Sequence, residues 1–152
     1  MIRAGVMLML MAGPVLAGPA DLALAESRAF CVEQGGTLEV PEGETTLIDL
    51  TGDGIKDAIV SEEGAFCGPE YGYLGGTGGF MIHAVVGDKV QSWLAGAWLV
   101  QDIAFFAEDT TQDAVRVLLL AQHGSACNTY GVAPCVLAVT WDGEQFVSAA
   151  AR

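Results

Sequence analysis

The sequence predicts a mainly β protein: an antiparallel meander of about eight strands, built from two blade-like repeats, with one N-terminal helix. Three observations predict it. Short runs rich in β-branched and aromatic residues recur between clusters of turn residues. Two of the connections, Gly87-Asp88 and Asp142-Gly143, stand at hairpin spacing. The same order of features is read twice along the chain, with corresponding positions about 54 to 60 residues apart.

The helix is expected over Pro19 to Gln34, where Leu22, Leu24, Ala25, Ala29, Phe30 and Cys31 alternate with polar residues and Gly35-Gly36 ends the pattern. Strands are expected over Thr45 to Leu50, Asp57 to Ser61, Phe80 to Val86, Lys89 to Leu94, Trp98 to Phe106, Ala114 to Ala121, Val136 to Trp141 and Gln145 to Ser148. The first repeat covers about 37–95 and the second about 96–150. In the first, Asp57-Ala58-Ile59-Val60 precedes Gly64-Ala65-Phe66-Cys67, a glycine-rich loop and the hairpin around Gly87-Asp88. In the second, Asp113-Ala114-Val115-Arg116 precedes Gly124-Ser125-Ala126-Cys127, a loop and the hairpin around Asp142-Gly143. Two such units are too few to close a propeller, so their sheets are expected to pack on each other.

The N-terminus reads as a secretory signal peptide over 1–20. Arg3 is followed by an apolar run from Ala4 to Leu16 and by small residues, with cleavage expected after Ala17 or Ala20 and Ala25 as a further match to the small-residue rule. The run falls short of the roughly 20 apolar residues that span a bilayer. What remains, 21–152, is long enough for one β-rich domain with its own core. No later segment is suited to membrane insertion, and a periplasmic or secreted location is expected. Lysines and arginines number 6 against 19 acids, a formal charge of −13. Repulsion from phosphates disfavours nucleic acid and anionic lipid, and the same field favours a cation or a basic protein as partner.

Four cysteines in an oxidising compartment imply two disulfides. Cys127 and Cys135 flank the turn-rich stretch Asn128 to Pro134, which closes a small loop. Cys31 with Cys67 follows by elimination, one of three possible connectivities. A zinc site is disfavoured because there is no Cys-x-x-Cys and neither His83 nor His123 has a second histidine at ligand spacing.

One segment carries specific chemistry. In Asp49-Leu50-Thr51-Gly52-Asp53-Gly54-Ile55-Lys56-Asp57, side-chain oxygens fall at the first, third, fifth and ninth positions, and the seventh contributes the Ile55 carbonyl. A chain wrapped around a hard cation turns every second residue inward, and calcium takes six to eight oxygens at about 2.3–2.6 Å. An EF-hand loop would carry glutamate where Val60 stands. The segment resembles instead the calcium loop of FG-GAP and VCBS-type repeats, D-x-[DN]-x-D-G-x-x-D followed by a short hydrophobic strand. That resemblance implies Asp49, Thr51, Asp53, Ile55 and Asp57 as ligands of a structural calcium, with Thr51 departing from the usual Asp or Asn. It implies a single site, because Glu108 to Asp113 in the second repeat has no Asp-Gly. The alternative is an Asx-turn hairpin whose aspartates bind backbone amides without metal. The wider arrangement, with Gly75 to Gly79, His123 to Cys127 and Trp141-Asp142-Gly143, also looks like small proteobacterial periplasmic proteins, a resemblance that implies no activity.

The expected function is a non-enzymatic exported binding or interaction module, with calcium as structural cofactor and no catalytic residues. A secreted inhibitor of a basic hydrolase such as lysozyme is the alternative, and a hydrolase using His123 is the second alternative. An enzyme would gather His83 or His123 with a carboxylate in a concave site; a binding module would expose an aromatic patch. Trp93, Trp98, Trp141, Tyr71, Tyr73 and Tyr130 are read first as core and only second as a carbohydrate platform. Gly75 to Gly79 lacks the lysine and helix start of a phosphate cradle.

Overall fold

The computed structural model describes residues 17–104, 114–133 and 135–149. The signal-peptide run up to Leu16 lies outside them, as do Phe105, Phe106 and the acidic stretch Glu108 to Asp113. The expected N-terminal helix forms in two pieces, α1 (Pro19–Ala23) and α2 (Ala25–Glu33), broken at Leu24. Ala23 and Leu24 are both buried against Ala58, Val60 and Val85. A regular helix turns about 100° per residue, and the break lets two adjacent side chains meet one surface. The chain from α1 onward is thus part of the folded body, so a cut after Ala25 would remove two core side chains.

The remaining elements are β1 (Leu38–Glu39), β2 (Thr45–Ile48), β3 (Asp57–Ser61), β4 (Phe66–Cys67), α3 (Gly68–Tyr71), β5 (Gly72–Tyr73), β6 (Phe80–Val86), β7 (Lys89–Ala95), β8 (Ala97–Ile103), β9 (Val115–Gln122), a 3₁₀ turn (Gly124–Cys127), β10 (Cys135–Trp141) and β11 (Phe146–Ser148). They form three antiparallel sheets with strand orders β2-β3-β6-β7, β11-β10-β9-β8 and β1-β4-β5. The fold is mainly β as expected, but the eight-strand, two-unit description is corrected to eleven strands in three sheets among the described residues. Strands β1, β4 and β5 have two residues each, too few for alternation to register in the sequence. They are held by Leu38 opposite Cys67 and Phe66 opposite Tyr73, next to the Cys31–Cys67 disulfide.

Ile59 and Ile82 from the first four-stranded sheet meet Leu118, Leu120, Val139 and Phe146 from the second in one apolar cluster. On β3, Ala58 and Val60 point the other way, under α1 and Leu24. A strand buried on both faces needs a continuous apolar run, which Ala58-Ile59-Val60 supplies. At about 25 cal/mol per Å² of apolar area removed from water, this two-sided burial makes β3 the most strongly anchored strand of its sheet.

The two larger sheets are stitched at β7. Gly96 alone separates β7 from β8, and its amide donates to the Ala121 carbonyl at 2.7 Å. The Gln91 side chain acts as a surrogate strand for the edge of β11: its Nε2 donates to the Phe146 carbonyl at 3.0 Å and its Oε1 accepts from the Phe146 amide at 2.9 Å. Lys89 Nζ donates to the Glu144 carbonyl at 3.0 Å. Such polar ties satisfy edge groups that would otherwise pair with another chain.

Candidate functional site

The acidic turn joins β2 to β3. Asp49 spends both carboxylate oxygens locally, Oδ1 accepting from the Gly52 amide at 2.6 Å and Oδ2 from the Gly54 amide at 3.0 Å. Asp53 Oδ1 accepts from the Ile55 amide at 2.8 Å, and Asp57 Oδ2 from the Leu50 amide at 2.8 Å. Gly52 and Gly54 both take φ of +85°, a left-handed geometry that glycine adopts without strain. These are the Asx-turn bonds of the metal-free alternative. Among the described residues no group of three or more His, Cys, Asp or Glu side chains stands together as a metal cluster.

The turn is nonetheless crowded with oxygen. Thr51 Oγ1 is buried with no hydrogen-bond partner among the described residues. Asp57 is buried, and burial pushes its carboxyl above the ordinary aspartate value; amides of Leu50 and Thr51 oppose that push, while the charges of Asp53 and Asp49 add to it. Burial also raises Asp49, but the Gly52 and Gly54 amides and the Arg116 guanidinium outweigh it and hold Asp49 below its ordinary value. A buried hydroxyl without a partner and carboxylates that repel one another are what a divalent cation relieves.

Arg116, on β9, had no role in the sequence reading. Its Nη1 lies 2.9 Å from Asp49 Oδ2 and donates to the Asp49 carbonyl at 2.9 Å. Its Nε and Nη2 grip Asp102 of β8 at 2.7 and 2.8 Å. The bidentate bond to Asp102 is the chief cause of an Arg116 pKa raised above its ordinary value, burial opposing it and Asp49 adding to it. A fork of this kind fixes geometry as well as charge, so the acidic turn is tied to the second sheet by a resident cation.

The second locus is a buried polar chain. On β6, His83 Nδ1 is 2.7 Å from Ser92 Oγ of β7, and its Nε2 is 3.1 Å from Glu62 Oε1. Ser27 of α2 donates its hydroxyl to the same oxygen. Glu62 and His83 are 2% and 5% exposed, so each needs its partners to be tolerated there. Glu62 lies just past β3 and lines an open cavity of about 330 Å³ between α2, the β5 region and the β6–β7 face. Its walls include Phe30, Tyr71, Tyr73, Phe80 and Leu94. Phe30 and Tyr71 meet edge to face with centroids 4.8 Å apart. The carboxylate expected beside a histidine therefore stands at His83.

His123 has a different setting. Its Nδ1 is 2.8 Å from Ser125 Oγ, and its ring packs on Gly131, where an added Cβ would stand 2.3 Å from Cε1. Among the described residues its hydrogen-bond partner is a hydroxyl, not an acid. The disulfides are Cys31–Cys67 and Cys127–Cys135, with Cα separations of 5.3 and 6.0 Å. Trp93, Trp98 and Trp141 pack against the main core, whereas Tyr71, Tyr73 and Tyr130 are exposed. Gly76 and Gly79 bridge each other within their loop.

No helix among the described residues is long and apolar enough to cross a membrane. Fold and site together define a disulfide-bonded antiparallel β protein with an acidic turn and an aromatic-walled cavity lined also by Glu26 and Glu62. Compared with protein-family models, curated proteins and solved structures, the chain matches none.

Proposed function

We propose that this chain is a non-enzymatic exported binding module, periplasmic or secreted, whose recognition site is the tyrosine-walled cavity above Glu62. The observation that carries the reading is which residues line the cavity. Of the four-residue polar chain, Glu62 and Ser27 line it, together with aromatic rings. Neither Ser92 nor His83 is among the residues that line it, so the hydroxyl that the imidazole could activate stands away from the cavity that would hold a substrate. Pockets of a few hundred Å³ with apolar walls and a few fixed polar groups suit ligand binding.

In this reading the Asp49–Asp57 turn is a calcium loop of the FG-GAP and VCBS type. Asp49, Thr51, Asp53, Asp57 and the Ile55 carbonyl would hold the ion, which would draw β2 and β3 together and neutralise the repulsion at Asp57. The unpartnered Thr51 hydroxyl supports the assignment. Arg116 beside Asp49 works against it, since a cation entering the turn must share that carboxylate.

Hydrolysis of p-nitrophenyl acetate separates this reading from a hydrolase. The expected rate is the uncatalysed one; turnover lost in Ser92→Ala or His123→Ala would overturn the proposal. The charge of −13 favours a second reading, inhibition of a basic hydrolase. Loss of lysozyme activity on mixing would decide for it.

A further inference from the structure

We propose that the cavity above Glu62 binds an alkylammonium group, an inference that rests on the binding-module reading and names its ligand class. Two carboxylates, Glu26 and Glu62, line the cavity, and no lysine or arginine does so among the described residues. The four described lysines and arginines lie elsewhere: Arg28 pairs with Asp21 at 2.8 Å, Arg116 with Asp49 and Asp102, Lys89 sits over Trp141, and Lys56 belongs to the acidic turn between β2 and β3. Both hydrogen bonds of the Glu62 side chain, from Ser27 and His83, fall on Oε1. One carboxylate oxygen is thus held by Ser27 and His83, in a buried setting where a full positive charge is worth more than in water.

The walls complete the complementarity. Tyr71 and Tyr73 are 52% and 72% exposed, and their rings stand against Phe30 and Phe66 at 4.8 and 5.2 Å between centroids. Aromatic faces around a cation attract it through their quadrupoles, most strongly where water is excluded. The ligand is an ammonium and not a guanidinium. A guanidinium fork needs both oxygens of a carboxylate, and Oε1 already accepts two bonds, whereas a compact ammonium needs one oxygen and tolerates many directions. A small free amine and a lysine side chain of a basic protein present the same chemistry.

The test is an NMR titration of the exported chain with tetramethylammonium, N-acetyl-lysine methylamide, butylguanidinium and the uncharged isostere neopentyl alcohol. Shifts confined to Ser27, Glu62, Tyr71 and Tyr73 are expected, with both ammonium probes binding about tenfold or more tighter than the alcohol and the guanidinium. Glu62→Gln should remove that preference. Should Glu62→Gln fail to fold, Tyr73→Ala, at an exposed position, should weaken the ammonium probes several-fold and leave the alcohol unchanged. Tighter binding of tetramethylammonium points to a small alkylated ammonium ion, and tighter binding of the lysine derivative to a protein partner. Equal binding of alcohol and ammonium would overturn the ammonium assignment and leave the cavity as a binding site; no shift with any probe would overturn both.

Discussion

Gly79→Ala is expected to destabilise the fold by about 3 kcal/mol or more, the sum of a strained backbone and an overpacked contact. Gly79 takes φ of +109°, and a Cβ there would stand 2.3 Å from the Ala95 carbonyl oxygen, 2.4 Å from its carbon and 2.8 Å from the Gly96 nitrogen. All three atoms are backbone, at the one-residue corner where the chain leaves β7 for β8, so no side chain can swing away. The glycine loop is a close approach between backbones and not a flexible linker. A denaturant melt of the variant, read as the midpoint shift at unchanged slope, measures the cost. By contrast, Gly76→Ala has open space around its Cβ and should fall within about 0.5 kcal/mol of the parent.

Removing the Cys31–Cys67 disulfide as the Cys31→Ala, Cys67→Ala pair is expected to cost about 4 kcal/mol, and removing Cys127–Cys135 in the same way about 2.5 kcal/mol. The difference follows from loop closure in the unfolded chain, whose entropy grows with the logarithm of loop length, for separations of 36 and 8 residues. Cys31 and Cys67 are also fully buried, and their bond fastens α2 to the three-stranded sheet that edges the cavity. Equilibrium unfolding of the two double variants should rank them in that order. Equal losses would mean that native-state packing, and not chain entropy, sets the contribution of each bridge.

The sequence was most legible where periodicity was long. Strands β3 and β6 occupy Asp57–Ser61 and Phe80–Val86, the ranges that their apolar runs predict. The pairing of Cys127 with Cys135 follows from the short turn-rich loop between them. The helix broke at Leu24 because tertiary burial of two adjacent side chains outweighs local helical preference. Strands β1, β4 and β5 were invisible because two residues carry no period.

The sites divided in the same way. The acidic turn was readable because its residues are consecutive and bond one another's backbone, whereas its tie to the second sheet runs through Arg116, which lies 67 positions from Asp49. Glu62, His83, Ser92 and Ser27 come from four segments, and Ser27 and Glu62 are 35 positions apart. Only the fold brings them together. A glutamate directly after a wholly buried strand was the one local hint of Glu62, since a charged residue is rarely buried without partners.

The proposal of calcium at the acidic turn is the point on which scaffold and resemblance meet, and thermal melting of the chain in millimolar calcium and in excess EDTA tests it most directly. Extracellular sites hold calcium at about 10⁻⁴–10⁻³ M, so near tenfold saturation the melting temperature should rise by about 5 °C. Asp53→Ala should erase the difference. Superimposable melts of the parent chain in calcium and in EDTA would contradict the calcium loop and leave Asp49, Asp53 and Asp57 as caps of backbone amides.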